Sequence, residues 1–398
     1  MIAPHSQPRS SAADGALRVV HTVHSLDRRG GGLTRVVPLL ADHLLDQGCE
    51  VSIVHLRTPG QSVAPSRAPA AAARPLRVGQ RNLWSREFSG LVAGALGSHG
   101  RRALHDNGLW GCTNVIAARV AYRTGVPLII SPHGMLEPWA LRHRAGRKRL
   151  AMLGYQRAIL ESAVMFVVSA ATEAAAVRAA GLRQPIAIVP AGIETGDTIA
   201  AHAPVAPLRR LLFLSRIHPI KGLAALIDAW QQVGAIGWEV IVAGPDEDGH
   251  RAELERLLLR RQLQHVFKFA GEVDDARKTQ LFAAADLFVL PSHSENFGLV
   301  VGEALAHGLP VLTTRGTPWG ILESIGAGWW VEPGVAGLAA GLRAALATTA
   351  ARRQQMGLIG RDYVRNQLSW QRAARLTLEA YRWRLNLDSS VPDHVQLD

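Results

Sequence analysis

The chain has 398 residues, 48% of them hydrophobic, with 44 Lys and Arg against 32 Asp and Glu, a formal charge of +12. That length exceeds what one core usually fills and argues for two domains, and no run approaches the ~20 apolar residues that a membrane-spanning helix needs. Two cysteines, Cys49 and Cys112, make no disulfide framework, and the opening MIAPHSQPRSSAADGALR lacks the apolar core of a secretion signal, so a cytoplasmic protein is expected. The charge is uneven: residues 1–205 carry +11 and the remainder +1, which assigns anionic partners to the first half.

In chain order, a tail over 1–16 precedes LRVVHTVH (17–24), a helix from about Gly32 to Gln47 and VSIVHL (51–56), a β-α-β rhythm. Residues 57–80, rich in Pro and Ala, read as a mobile surface loop. The rhythm resumes through PLIIS (127–131), VMFVVS (164–169) and PIAIVP (185–190), closing a first unit over 17–199. A linker is expected over 200–208, where AAHAPVAP has the composition. The second unit, 209–367, carries RLLFLS (210–215), WEVIVAG (238–244), VFKFAG (266–271), DLFVLP (286–291) and PVLTT (310–314). Two parallel-sheet α/β domains are the economical reading.

Ligands of such sheets collect beyond the carboxyl ends of the strands, and four of those loops carry unusual residues. DRRGGGLTR places Gly30, Gly31 and Gly32 before a helix start, a geometry for an anion or a plain turn. PHGM sets His133 and Gly134 at a strand end, where an imidazole serves as hydrogen-bond partner or base near neutral pH. HDNGLW (105–110) follows another short strand and either reaches the same cleft or shapes a turn. RLLFLSRIHPIKG puts Arg216 and Lys221 in one strand-to-helix loop, a pairing that suits a diphosphate.

SENFGLVVGE then places Glu295 before a helix and Glu303 inside it, with Phe297, Gly298 and Leu299 as N–H donors at the helix start. Paired acids serve as hydrolase machinery or as ligands for sugar hydroxyls. Asp246-Glu247-Asp248 in GPDEDGH formally matches a metal-carrying acidic motif of another transferase fold; it reads here as turn and helix-cap chemistry. A basic noncatalytic protein binding nucleic acid or anionic surfaces would leave both glutamates unexplained, so no nucleic-acid partner is expected.

The Arg, four residues, Lys-Gly pattern of RIHPIKG and the Glu, seven residues, Glu pattern of ENFGLVVGE together resemble the retaining glycosyltransferases of the GT-B fold, family four (GT4). The likeness runs from about residue 17 to 385. SPHGMLEPWALRHRAGRKRLAMLGYQRAILESA looks like the subgroup that builds bacterial exopolysaccharide, capsule or lipopolysaccharide. One departure is Asn107, where relatives often have a second histidine.

The resemblance implies two Rossmann-like domains facing across a cleft, the first for acceptor and the second for donor. It also implies a helix over 368–385 crossing back onto the first domain, and residues 386–398 are expected to be a disordered tail. Arg216 and Lys221 would hold the donor diphosphate, Glu303 the ribose and Glu295 the transferred sugar. Phe297, Gly298 and Leu299 would meet sugar and phosphate through backbone N–H groups, Gly31 and Gly32 would admit donor or acceptor closely, and His133 would line the reaction centre. No metal or other cofactor is expected beyond a UDP- or GDP-linked sugar as co-substrate. The expected acceptor is a glycan or a polyprenyl-linked glycan. The basic segment with Arg142, Arg144, Arg147, Lys148, Arg149 and Arg157 would dock on the anionic cytoplasmic face of the inner membrane. A metal-dependent transferase, or a phosphorylase or epimerase on the same fold, is the enzyme-class alternative.

Overall fold

The computed structural model describes residues 16–27, 31–57, 60, 62–63, 65–74, 85–196 and 208–397. Apart from Ala16 and Leu208, the expected tail and linker lie outside the described residues, as does Gly30.

The first unit runs β1 (Arg18–Val23), α1 (Leu33–Asp46), β2 (Glu50–Leu56), β3 (Ala70–Ala73), α2 (Arg86–Leu96), β4 (Arg102–Asn107), α3 (Cys112–Thr124) and β5 (Leu128–Ser131), then α4 (Pro138–Arg142), α5 (Ala145–Ala151), α6 (Arg157–Ser162), β6 (Met165–Val168), α7 (Ala171–Ala179) and β7 (Ile186–Ile188). The second runs β8 (Arg209–Leu214), α8 (Leu223–Val233), β9 (Trp238–Ala243), α9 (His250–Arg261), β10 (Phe267–Gly271), α10 (Asp275–Ala283) and β11 (Leu287–Leu290), then α11 (Leu299–Ala306), β12 (Val311–Thr314), α12 (Ile321–Ile325), β13 (Gly328–Val331), α13 (Val335–Ala347) and α14 (Ala350–Gln367). Helix α15 (Trp370–Arg384) and strand β14 (Val395–Gln396) close the chain.

The sheets have the orders β14-β7-β6-β5-β4-β1-β2-β3 and β10-β9-β8-β11-β12-β13. Among these strands only β14 runs antiparallel to its neighbour. Strands covered on both faces read as unbroken apolar runs rather than alternations: LIIS of β5, MFVV of β6 and LFVL of β11 are buried at every position. Both faces of the first sheet carry a core, and a third core fills the second unit around Phe213, Trp230 and Phe288.

Two expectations need correction. The Pro/Ala segment is not loop throughout, because Ala70–Ala73 adds β3 as a parallel edge beside β2; alanines offer a strand little propensity, but the open edge of β2 supplies the backbone partners. Residues 386–397 are likewise ordered: Val395 and Gln396 pair with Ala187 and Ile186, closing the other sheet edge.

Helix α15 packs on α1 over one face of the first sheet, burying Trp370, Ala373, Ala374 and Tyr381 with Val37, Leu40 and Leu44. Its N-cap Ser369 accepts from the N–H of Arg372 at 3.2 Å. The Tyr381 hydroxyl reaches Nδ1 of His105 at 2.5 Å, and Nε2 of that ring lies 2.8 Å from Ser131 Oγ, which donates to the Val167 carbonyl. The whole run is satisfied if Tyr381 donates to His105 and His105 to Ser131. The return of the chain onto the first domain is thus fixed by a polar bond as well as by apolar contact.

Candidate active site

The site begins where β11 ends. The chain turns at Pro291, passes Ser292, Ser294 and Glu295, and enters α11 through Gly298, whose φ of 76° lies in the left-handed region. Glycine adopts that conformation without the steric cost a side chain imposes. The turn leaves the N–H groups at the start of α11 without intrahelical partners.

Glu295 is fixed by two donors to one oxygen: Lys221 Nζ at 2.5 Å and Ser292 Oγ at 2.7 Å. Lys221 closes a short 3₁₀ turn, Pro219–Lys221, after β8. Next to it, Gly222 has φ 71° and sits where an added Cβ would lie 2.1 Å from the Pro291 carbonyl oxygen. Only glycine lets these two strand-end loops approach so closely, and the approach is what brings Lys221 to Glu295.

Glu303, in α11, faces Lys278 Nζ at 2.6 Å and Arg35 Nη1 at 3.5 Å. Lys278 comes from α10 and Arg35 from the first turn of α1 in the other unit. Arg35 also holds Glu194 at 2.6 Å. Neither cation was expected from the sequence. Lys278 lies in the polar helix sequence DARKTQLFA without a strand-end address, and Arg35 three residues beyond the glycine loop carried a weak signal only.

Arg216 is not gathered with Lys221 around Glu295. Its guanidinium is paired with Glu247 of the acidic loop, at 2.6 and 2.8 Å, on a half-exposed surface. Asp246 accepts from the N–H of Arg251 at 2.9 Å, turn and cap chemistry at the start of α9. Among the described residues no three His, Cys, Asp or Glu side chains converge as a metal-holding group. Phe297 contributes its carbonyl, which accepts from Trp319 Nε1 at 2.6 Å, and its ring lies 5.4 Å from that indole.

His133, two residues beyond the end of β5, has φ 51°, a left-handed conformation that costs a β-carbon residue energy and concentrates at functional sites. Its Nε2 lies 3.1 Å from Asn107 Oδ1, while the amide nitrogen of Asn107 donates to the carbonyls of Thr22 and His105. Asn107 therefore orients the imidazole, which gives the HDNGLW segment a role the sequence left open. Burial pushes the His133 pKa down to about 4. The ring is therefore neutral near neutral pH, a state in which Nε2 or Nδ1 can donate or accept a hydrogen bond.

Several approaches across the cleft, among the described residues, bring the two units together. A Cβ at Gly32 would lie 3.3 Å from Leu299, and one at Gly134 would lie 2.9 Å from Asn296. Ser294 Oγ donates to Glu137 at 2.8 Å, and Arg35 reaches Glu303. Gly31, φ 85°, has open space beside it. Glu173, buried at the start of α7, accepts from the N–H of Gly134 at 2.6 Å and from both donors of Ser169, so it pins the PHG turn. Burial raises the Glu137 pKa to about 7, and repulsion from Glu173 and Glu295 adds to the effect against the Ser294 hydrogen bond.

Comparison with known proteins matches both halves. Residues 30–197 fit the family model described as Glycosyltransferase Family 4, and residues 209–348 fit that described as Glycosyl transferases group 1. A D-inositol 3-phosphate glycosyltransferase 2 of Catenulispora acidiphila is 30% identical, over 72% of this chain and 74% of its own. A GDP-mannose:cellobiosyl-diphosphopolyprenol alpha-mannosyltransferase of Xanthomonas campestris is 25% identical over 75% of this chain and 78% of its own. In three dimensions, sucrose-phosphate synthase of Thermosynechococcus elongatus superposes with a TM-score of 0.75 at 20% identity, covering 94% of this chain and all of that one. The two facing parallel-sheet domains and the matched family models lead to one conclusion: the chain belongs to glycosyltransferase family 4 and is a glycosyltransferase of the GT-B fold.

Proposed function

We propose that the enzyme transfers a sugar from a UDP- or GDP-linked donor, with retention at the anomeric carbon, to a glycan or polyprenyl-linked glycan during assembly of a bacterial exopolysaccharide, capsule or lipopolysaccharide. The observation that carries this reading is the pair of glutamates flanking the start of α11, each engaged by an ammonium: Glu295 by Lys221 and Glu303 by Lys278. Carboxylates so engaged accept hydrogen bonds from sugar and ribose hydroxyls; they are not set as the proton donor and attacking base of a hydrolase. Glu303 takes the ribose and Glu295 the transferred sugar. Arg216, Lys221 and the N–H groups of Phe297, Gly298 and Leu299 stabilise the charge growing on the departing diphosphate. The oxygen so charged assists loss of the acceptor proton, and the neutral His133 lines the sugar without titrating. Gly31 and Gly32 leave room for donor or acceptor between the units. No metal or other cofactor enters this scheme. The name of the Xanthomonas relative, which pairs a nucleotide sugar with a diphosphopolyprenol acceptor, supports the donor and acceptor classes.

No described helix is long and apolar enough to cross a membrane. Peripheral docking at the cytoplasmic face is supported by the basic segment, where Arg142, Arg144, Arg147 and Arg149 are exposed beside Leu150 and Leu153, 73% and 87% exposed. Lys148 and Arg157 of that segment are engaged with the backbone at Ala140 and Ala180. A panel of nucleotide sugars, scored for binding, for slow donor hydrolysis and for product anomer with and without chelator, tests the reading. Indifference to every UDP and GDP sugar, or strict dependence on added Mn, would overturn it.

A further inference from the structure

A cavity of about 380 Å³ lies between the two units, lined by Glu137, Thr172 and Ala176 on one side and by His293, Glu295 and Arg315 on the other. That is ample for one sugar ring, and it shares Glu295 with the site described above. Trp139 follows the lining residue Pro138; its indole stacks on His293, with ring centres 6.2 Å apart and planes 13° from parallel. Even so, Trp139 stays 38% exposed. A large indole braced on one side and open to water on the other is a platform for a ligand with an apolar face.

The charge of the cavity narrows that ligand. Two carboxylates, Glu137 and Glu295, belong to its lining. Glu137 takes one hydrogen bond, from Ser294, and is only partly buried, which leaves acceptor capacity. Arg315 is the one Arg or Lys in the lining, and its guanidinium is already committed to Glu332 at 2.9 Å and to the Trp330 ring at 4.4 Å. A phosphate ester, the acceptor type named for the Catenulispora relative, would meet a lining with no excess positive charge, since Lys221 balances Glu295, Glu332 balances Arg315 and Glu137 adds a further carboxyl. A neutral sugar fits both features, since its hydroxyls donate to the carboxylates and its C–H face covers the indole.

We propose that this cavity is a subsite for a neutral, unphosphorylated pyranose of the acceptor, hydrogen-bonded by Glu137 and reaching the indole of Trp139, which adjoins the lining residues Pro138 and His293. The proposal rests on the transferase reading and deepens it by naming the acceptor's chemical class at this point. Its test uses the full chain with saturating UDP or GDP, and saturation-transfer NMR against methyl glycosides of common hexoses and their matched sugar phosphates. Glycosides should bind, the phosphates should bind no better than their parents, and Trp139→Ala should weaken glycoside binding by about tenfold, the scale of one aromatic contact. Glu137→Gln should weaken it too, by replacing an accepting carboxylate oxygen with an amide nitrogen that can only donate. Nucleotide affinity, measured separately, reports whether the donor half of each variant is intact; Trp139 is exposed, so its variant is expected to fold. Tighter binding of phosphates, glycoside binding untouched by both variants, or no glycoside bound at all would each overturn the subsite. A wild-type protein that binds neither nucleotide would instead bring down the transferase reading and the subsite with it.

Discussion

Lys278 in α10 sets its ammonium 2.6 Å from the carboxylate of Glu303 in α11, both groups largely shielded from water. The pair joins two helices of the second domain, and Arg35 reaches the same carboxylate from the first. A charge that loses its partner in such a setting is costly. Lys278→Met is therefore expected to lower affinity for a nucleoside diphosphate by about 1.5–3 kcal/mol, roughly 10- to 150-fold. Arg35→Ala, at a more exposed position, should cost only about 0.2–1 kcal/mol. Calorimetry on Lys278→Met, Glu303→Gln and the double variant checks the coupling: strictly additive effects would mean that Lys278 acts elsewhere.

The two glutamates should fail in different ways. Glu303→Gln is expected to weaken donor and free nucleoside diphosphate alike, because both carry ribose. Glu295→Gln should leave nucleoside diphosphate affinity nearly unchanged and depress turnover, because its contact matters most as positive charge develops on the sugar. Transfer kinetics beside nucleotide titrations separate the roles. Rescue of Glu295→Ala by azide, with a glycosyl azide as product, would instead expose a hydrolase-type nucleophile.

Arg216 must exchange Glu247 for the diphosphate if both claims on it hold. Arg216→Ala is expected to cost about 1.5–3 kcal/mol in kcat/KM, the scale of one charge-assisted contact. Glu247→Gln removes a competitor on a half-exposed surface, so donor affinity should stay level or rise by at most about fivefold. A large loss in Glu247→Gln would show that this carboxylate orients Arg216 rather than competing for it.

Gly222→Ala forces a β-carbon into left-handed backbone and against the Pro291 carbonyl. Strain of this kind costs roughly 1–3 kcal/mol before any displacement of the loop. Thermal melting should register the loss. Activity should fall further than the melt implies, because the displaced loop carries Lys221 away from Glu295.

Acid should destabilise the first domain partly through His133. Its folded pKa of about 4 lies below the ordinary value of 6.5, so the unfolded chain binds the proton more readily. Its contribution is complete above pH 6.5 and is lost as pH falls through 4, at most about 3 kcal/mol. His21, held near 3 by burial and by His133, acts in the same direction. Asp106 and Glu137, raised to about 6 and 7, act oppositely: their contributions are complete below the ordinary carboxylate range and fade as pH rises through those values. The diagnostic is therefore the slope of melting temperature against pH, which should be flatter between pH 6.5 and 4 in His133→Asn than in wild type. An unchanged slope would assign the acid response to other groups.

Most strands of both sheets, the helix after the glycine loop, the placement of Glu295, Lys221 and His133 in loops after strands and of Glu303 inside the following helix were legible in the sequence; β13, Gly328–Val331, was not. Parallel strands buried on both faces write themselves as short apolar runs, and the loops after them must carry what chemistry there is. Alanines 70–73 and the terminal Val395–Gln396 were not legible, because an edge strand draws its order from a neighbour's unpaired backbone and leaves little pattern of its own. The two-carboxylate motif and the Arg-to-Lys spacing determined the family by themselves, since local spacing survives in the chain order. Only the tertiary structure decided which cation each acid meets. Lys278 and Arg35 lie 25 and 268 positions from Glu303 in sequence, Arg216 pairs with Glu247 of a separate loop, and burial lowers the His133 pKa to about 4. Ion pairing and desolvation depend on distances that close only when two domains fold and face each other, and no local pattern records them.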